Sequence, residues 1–284
     1  MKKNYDALEV VNKTIIYVVF ILISLLVFYP LVYTVSAAFS SGNGIASLDI
    51  IPFRDKNGLT LKHFVYLFTK THYCLWFKNT FFIALWTTVI SVFISSLSAY
   101  IFSRFNFVFK KPLMMSLLVL QIFPSFIGMI AIYVILLRIN GLDTLWGLVL
   151  VYVAGNIPYN TWMVKSYMDT VSKNLDEAAR IDGASHLRIY ATIILPVTKP
   201  IITFLGISSF TGPWMDFIFP KMVLRSPAKQ TLALGLYFSF VSDKKNEFTN
   251  FAAGSLLIAI PFVIFFLFTQ KYMIKSLGAG AVKE

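Results

Sequence analysis

The chain has 284 residues, 57% hydrophobic and only 13% charged, about half the soluble norm of about 25%. Its net charge of +12 comes without a basic patch interleaved with aromatics, which argues against nucleic acid and for anchoring at anionic membrane surfaces. Cys74 is the single cysteine, so an internal disulfide and a cysteine metal cluster are excluded.

The apolar residues gather into six stretches near the length of about 20 residues that a spanning helix needs: residues 14–37, 79–103, 112–137, 144–164, 200–219 and 250–270. The first belongs to an uncharged run over 14–39. That run exceeds the roughly 7–15 residues of a signal-peptide core, so it reads as a spanning helix. The connector over 40–78 holds His63 and His72 in a helical apolar pattern suited to the membrane interface. Both histidines read there as hydrogen-bonders, because no zinc-like spacing surrounds them.

The second stretch carries no charge, and the connector after it, 104–111, is short and basic. The third contains Gln121 and the sequence QIFPSF, and RINGLD (138–143) follows as a tight turn. The fourth is more polar, with Asn156, Pro158 and Asn160; the fifth carries SSFTGPWMD; the tail over 271–284 is basic and glycine-rich. None of these runs alternates as barrel strands do, and lipid cannot satisfy bare backbone, so they are predicted helices. The expected fold is all-α and integral to the membrane, with six transmembrane helices in one domain over 1–284. The short basic second connector weighs most in orienting the chain. It places both termini, and the polar loop over 165–199, in the cytoplasm of a multi-pass protein of the cell membrane.

That loop contains DEAARIDGASHLRIYATIILP (176–196). Asn174 followed by Glu177 fits a capping pattern, and Asp176 and Glu177 favour the first helical turn. Gly183 suits a left-handed helix end, and Ser185 suits the cap of a second helix. Leu187, Tyr190, Ala191 and Ile194 then fall on one face, and Pro196 closes the element. The product is an elbow with an apolar and a charged face. Two readings fit it: an amphipathic elbow lying on the inner leaflet or on neighbouring helices, or a knob gripped by a soluble partner.

Glu177-Ala178-Ala179, then Asp182-Gly183, then Ile193 and Leu195-Pro196 stand at the spacing of the EAA motif, and the chain resembles ABC importer permeases. SAYIFSRFNF (98–107), NGLDTLWGLVLVY (140–152) and the end QKYMIKSLGAGAVKE extend the resemblance to the MalG-type permeases of carbohydrate importers over nearly the whole chain. The resemblance implies a type I ABC importer permease fold. It also implies ATPase coupling through Glu177, Ala178, Ala179, Asp182, Gly183, Ile193, Leu195 and Pro196. The implied partners are a MalF-like second permease, two ABC ATPase subunits, an extracytoplasmic solute-binding protein and an oligosaccharide substrate, malto-oligosaccharides first, with galacto-oligosaccharides, raffinose-type and multiple sugars open. ATP and Mg would be used by the ATPases. No phosphate-cradling G-x-x-x-x-G-K-[ST], no H-E-x-x-H and no G-x-S-x-G occurs in the chain, so no catalytic residue, metal or cofactor is assigned to it.

Gln121, Asn156, Asn160, Ser209, Trp214 and Asp216 are candidates for a solute path, since polar groups inside a membrane usually face protein or a wet cavity. The competing reading is hydrogen-bonded glue between helices; for Asp216 it is an ion pair with Lys221 or Arg225. Tyr237, Phe238 and Phe240, in the outer connector over 221–249, could stack on sugar or meet the binding protein, or form an interfacial belt. A secondary carrier working alone would need coupling-ion residues in its spans, and no such chain of acids and bases is present. A scaffold that docks an ATPase without carrying solute remains the other rival.

Overall fold

The computed structural model describes residues 7–45, 48–54, 58–122, 125–242 and 246–281. Residues 123–124 of QIFPSF, together with Lys2, Lys3 and Lys283, lie outside the described residues, as do the side chains of the tail beyond Gln270. Every regular element among the described residues is helical, apart from an isolated antiparallel bridge between Ser40 and Leu59. The chain divides into two compact units, 1–71 with 236–260, and 72–235 with 261–284.

In the first unit, α1 (Ala7–Phe39) exposes its apolar side chains on all faces over 11–32. That is the surface a lipid-facing helix presents. Helix α2 (Lys62–Lys70) buries His63 and Leu67 and exposes Val65, Tyr66 and Phe68. The His63 ring faces two acceptors: one nitrogen lies 2.6 Å from Asn250 Oδ1, to which it can only donate, and the other lies 2.8 Å from the Ser40 carbonyl. The expected hydrogen-bonding role is kept, but in a core. His72 is exposed.

The second unit is built on α3 (Tyr73–Arg104), which packs along α6 (Leu145–Met168) and α10 (Lys199–Met215). Ala84, Thr87, Ser91, Ser95 and Ala99 are buried on α3 at helical spacing. Small residues let helix backbones approach closely where no water drives association. Between α3 and α6 come α4 (Lys110–Ile122) and α5 (Ser125–Arg138). Helix α11 (Ile218–Val223) follows α10, and α12 (Leu232–Phe240) and α13 (Phe248–Ala281) each have residues in both units.

Among the described residues, three stretches, Val11–Phe39, Tyr73–Arg104 and Phe248–Leu267, are by themselves long and apolar enough to cross a membrane, and up to five are if each of two bent helix pairs is one span. The expected fourth span is present as α6 but falls outside that set, as its Asn156, Asn160 and Lys165 dilute its apolar character. The expected fifth, 200–219, ends early: α10 stops at Met215, and Asp216 is extended backbone beyond it.

The RINGLD turn holds Asn140 and Asp143 in left-handed backbone, with φ of 55° and 53°. Asp143 accepts hydrogen bonds from the Arg225 and Ser226 N–H groups, both at 2.9 Å, and from the Ser226 hydroxyl, with Lys229 Nζ 3.5 Å away. Burial alone would raise its carboxyl, but these donors outweigh it and hold the group down at about 2. A depressed pKa contributes stability that is fully present above the ordinary carboxylate range and is lost as pH falls through about 2. Asp143→Asn keeps a residue that tolerates left-handed backbone and removes the charge. Its thermal midpoint in detergent is expected to lie below the parent's at pH 7, and the two are expected to converge as pH approaches about 2. A constant gap across that range would show that the charge does not hold the turn.

Candidate functional site

Two arms and a glycine corner make the elbow. The first arm is α7 (Asn174–Ile181). Asn174 is not its cap as expected: it is the first helical residue, the cap position falls on Lys173 without a side-chain cap bond, and the Asn174 N–H donates to the Ser172 hydroxyl at 3.3 Å. The corner follows the sequence reading. Gly183 has φ +81°, its N–H donates to the Arg180 carbonyl at 3.0 Å, and the Ala184 N–H donates to the Ala179 carbonyl at 2.9 Å. This bond pair is the glycine-terminated helix end that ties off orphan carbonyls. Ser185 then caps the second arm by accepting from the Arg188 N–H at 3.4 Å.

The second arm is α8 (His186–Ile189), a π turn over Tyr190–Ile194, and α9 (Leu195–Val197). The π turn adds a residue to the helical repeat. Of the expected apolar face, Tyr190 and Ile194 are buried, joined by Ile189, while Leu187 and Ala191 are exposed. Pro196 has no N–H to offer the Thr192 carbonyl, which suits a widened turn just before it. Nor does Pro196 end the element. The break is at Thr198, and His186–Val197 meets Lys199–Met215 at 82°.

The outward side of the elbow is apolar at its tip. Ile181 is 87% exposed and Leu187 69%, on either side of Gly183, with Glu177, Ala178 and Asp182 exposed beside them. Ala179 faces inward against the cluster of Tyr100, Val164, Met168, Ile189 and Ile194, and Ile193 and Leu195 are partly buried there too.

A set of residues absent from the sequence reading grips this elbow. On the last turns of α3, Ser96 shares a 2.7 Å hydrogen bond with the Tyr190 hydroxyl, and Tyr100 donates to the His186 carbonyl at 3.3 Å. Ser103 donates to Asp169 at 2.7 Å, and Lys165 pairs with the same carboxylate. Burial would raise Asp169, but Lys165 and Ser103 hold it below the usual carboxylate range. Arg104 donates to the Met168 and Val171 carbonyls at 3.2 and 3.1 Å and lies 3.0 Å from Asp176 on α7. The signal was in the stretch 98–107: with Ser96, these residues recur at helical spacing on one face.

The candidate solute-path residues separate. Asn160 donates to Ser209 at 3.4 Å and Asn156 to Ser91 at 3.5 Å, linking α6 to α10 and α3. Both bonds are long and of the helix-gluing kind. Trp214 is buried among Phe77, Phe210 and Phe262 at 5.2–5.9 Å, and its indole N–H has no partner. Gln121 is exposed near the end of α4. Asp216 accepts from Tyr152 at 2.8 Å and from the Ile218 and Phe219 N–H groups that begin α11. Phe240 is buried 6.3 Å from Tyr66, which removes it from any sugar-facing surface of this chain, whereas Phe238 is exposed and stacks edge-on against Tyr237 at 5.6 Å. All three lie on or next to a helix rather than on an open loop.

Comparison with known proteins identifies the family. The profile of the family described as "Binding-protein-dependent transport system inner membrane component" matches residues 91–277. The chain is 40% identical over 282 residues to the maltodextrin transport system permease protein MdxG of Bacillus subtilis, covering 99% of each. It is 38% identical to the galactooligosaccharides transport system permease protein GanQ of the same organism, covering 94% of each. Among solved structures, a chain of a bacterial ABC transporter involved in the import of alginate superposes with a TM-score of 0.82 at 20% identity, over 94% of this chain and 98% of that one.

Proposed function

This chain belongs to the family of binding-protein-dependent transport system inner membrane components and has their type I importer permease fold, and from that premise we propose that it carries malto-oligosaccharides into the cell. It is a multi-pass membrane subunit and not an enzyme; ATP hydrolysis belongs to partner subunits. The proposed assembly adds a MalF-like permease, two ABC ATPases that use ATP and Mg, and an extracytoplasmic binding protein. The expected six spans, with both termini cytoplasmic, put the elbow on the ATPase side.

The observation that carries coupling is the exposed apolar tip, Ile181 and Leu187 around the closed Gly183 corner. An elbow lying on its own helices would turn that surface inward. Its twin arms end on α6 and α10, so a push on the tip has two spanning helices to move. Alternating access then follows from a bundle with two packings that ATP closure biases.

Two experiments test the proposal. Ile181→Cys, in a Cys74→Ser background, is expected to crosslink to the ATPase subunit in the assembled transporter; crosslinking to lipid analogues alone would sink the docking reading. Vesicles holding the full assembly and its binding protein are expected to take up labelled malto-oligosaccharide with ATP. Galacto-oligosaccharide is the second reading, supported by the 38% identity to GanQ. Uptake of galacto-oligosaccharide and not of malto-oligosaccharide would replace the first with the second.

A further inference from the structure

The elbow reaches the membrane part by its two chain ends, through α6 and α10, and these are the connections a permease of this family has by covalent design. Further connections exist that the chain path does not supply: Ser96 and Tyr100 of α3 hold the second arm, and Arg104 holds the first. Arg104, the last residue of α3, sits in the angle between the end of α6 and the first turn of α7. Its side chain is only 6% exposed, and that of Asp176 13%. The guanidinium accounts for itself in two directions. Its terminal nitrogens donate to the Met168 carbonyl at the end of α6, which also accepts from the Val171 N–H at 3.1 Å, and to the Val171 carbonyl just beyond that end. Its Nε lies 3.0 Å from an oxygen of Asp176.

The two halves of that grip differ in kind. The carbonyl contacts are formed hydrogen bonds. The Asp176 contact is close but misaligned: the Nε–H aims at neither oxygen, and neither oxygen accepts a hydrogen bond from any described group. A cavity of about 250 Å³ adjoins it, lined by Tyr100, Arg104, Lys173, Asp176, Glu177 and His186, among others. A nearly buried ion pair gains little unless its remaining hydrogen bonds are met, while removing one partner leaves a costly bare charge. Such a pair holds its partners together without fixing their angle, and the adjoining space leaves α7 room to turn.

We propose that Arg104 is a positioning residue that passes the elbow's movement to α3, with its Asp176 contact as the pivot and its carbonyl contacts as the fixed mount. Helix α3 is the element on which α6 and α10 both pack. A turn of α7 therefore reaches the centre of the bundle directly as well as through the ends of the loop. The inference rests on the reading of the elbow as the ATPase-coupling part.

The test uses the full transporter with its ATPase subunits and binding protein in vesicles, and reads solute taken up per ATP hydrolysed. A variant that merely loosens the fold lowers the amount of active assembly and leaves that ratio unchanged. Asp176→Asn and Arg104→Gln are each expected to lower the ratio about ten-fold, within the range of ordinary coupling between sites. The double variant is expected to be no worse than the poorer single one, because both changes break one contact. Asp176→Glu is expected to recover most of the ratio. Additive losses, or an unchanged ratio in Asp176→Asn, would overturn the proposal. Should Arg104→Gln fail to assemble, Asp176→Asn decides alone, being nearly isosteric. Crosslinking from Ile181→Cys in the same samples separates the two ideas. No crosslink to the ATPase in the parent sinks the docking reading, whereas a normal crosslink with an unchanged ratio sinks only the role of Arg104.

Discussion

Gly183→Val is expected to cut ATP-driven uptake roughly five- to thirty-fold while the chain still inserts and Gly183→Asn keeps most of the activity. The reasoning is conformational and not steric. At φ +81° a Cβ on residue 183 would meet nothing within 4 Å, so space is not the limit. The left-handed conformation itself costs an L residue about 1–2 kcal/mol, more for a β-branched one and less for asparagine. That strain falls on a corner whose two hydrogen bonds, Gly183 to Arg180 and Ala184 to Ala179, set the angle between the arms. Valine favours an elbow with another angle and so misplaces Ile181 and Leu187 relative to each other. The checks are uptake and ATPase activity of the assembled transporter, with the amount of inserted chain as the reference. Equal loss in the valine and asparagine variants would mean that residue 183 acts by contact and not by backbone angle.

The corner was legible in the sequence because its determinants are local. A glycine after a helical run and a serine two residues on fix their own hydrogen bonds, whatever the rest of the fold does. The cap of the first arm was misplaced because a polar residue there looks like a cap, and only the path of the chain shows that Asn174 is already helical and that its N–H turns to Ser172. The π turn was not legible: a repeat of 3.6 assigns Leu187 and Ala191 to the buried face, and both are exposed. Arg104 was hidden for a different reason. Its partners are 64 to 72 residues away along the chain, and a basic residue at the end of a long apolar helix has an adequate local explanation in membrane anchoring. Phe240 shows the converse limit, since an aromatic in a polar connector looks available until Tyr66 is found against it. The family itself was legible because its motif sits in that self-determined corner.

Gly147→Ala is expected to lower the stability of the chain by about 3 kcal/mol or more, at or beyond the upper end of ordinary overpacking, whereas Gly155→Ala on the same helix is expected to be neutral or stabilising by up to about 1 kcal/mol. Both substitutions add one methyl to α6, so helix propensity favours both. They differ in what the methyl meets. At Gly155 nothing lies within 4 Å. At Gly147 the new Cβ would stand 2.2 Å from the Gly141 carbonyl oxygen, a backbone atom. That oxygen cannot step aside, because it accepts from the Thr144 hydroxyl at 2.7 Å while the Gly141 N–H donates to Leu136 at 2.7 Å. Thr144 in turn caps α6 through the Gly147 N–H itself. One methyl therefore sets the cap of α6 against the turn that Asp143 pins to Arg225 and Ser226. The measurement is the thermal midpoint of each variant in detergent, together with the yield of inserted protein. Equal midpoints for the two alanine variants would mean that the turn and the start of α6 separate freely, and that this end of the bundle is not held by the close approach at Gly147.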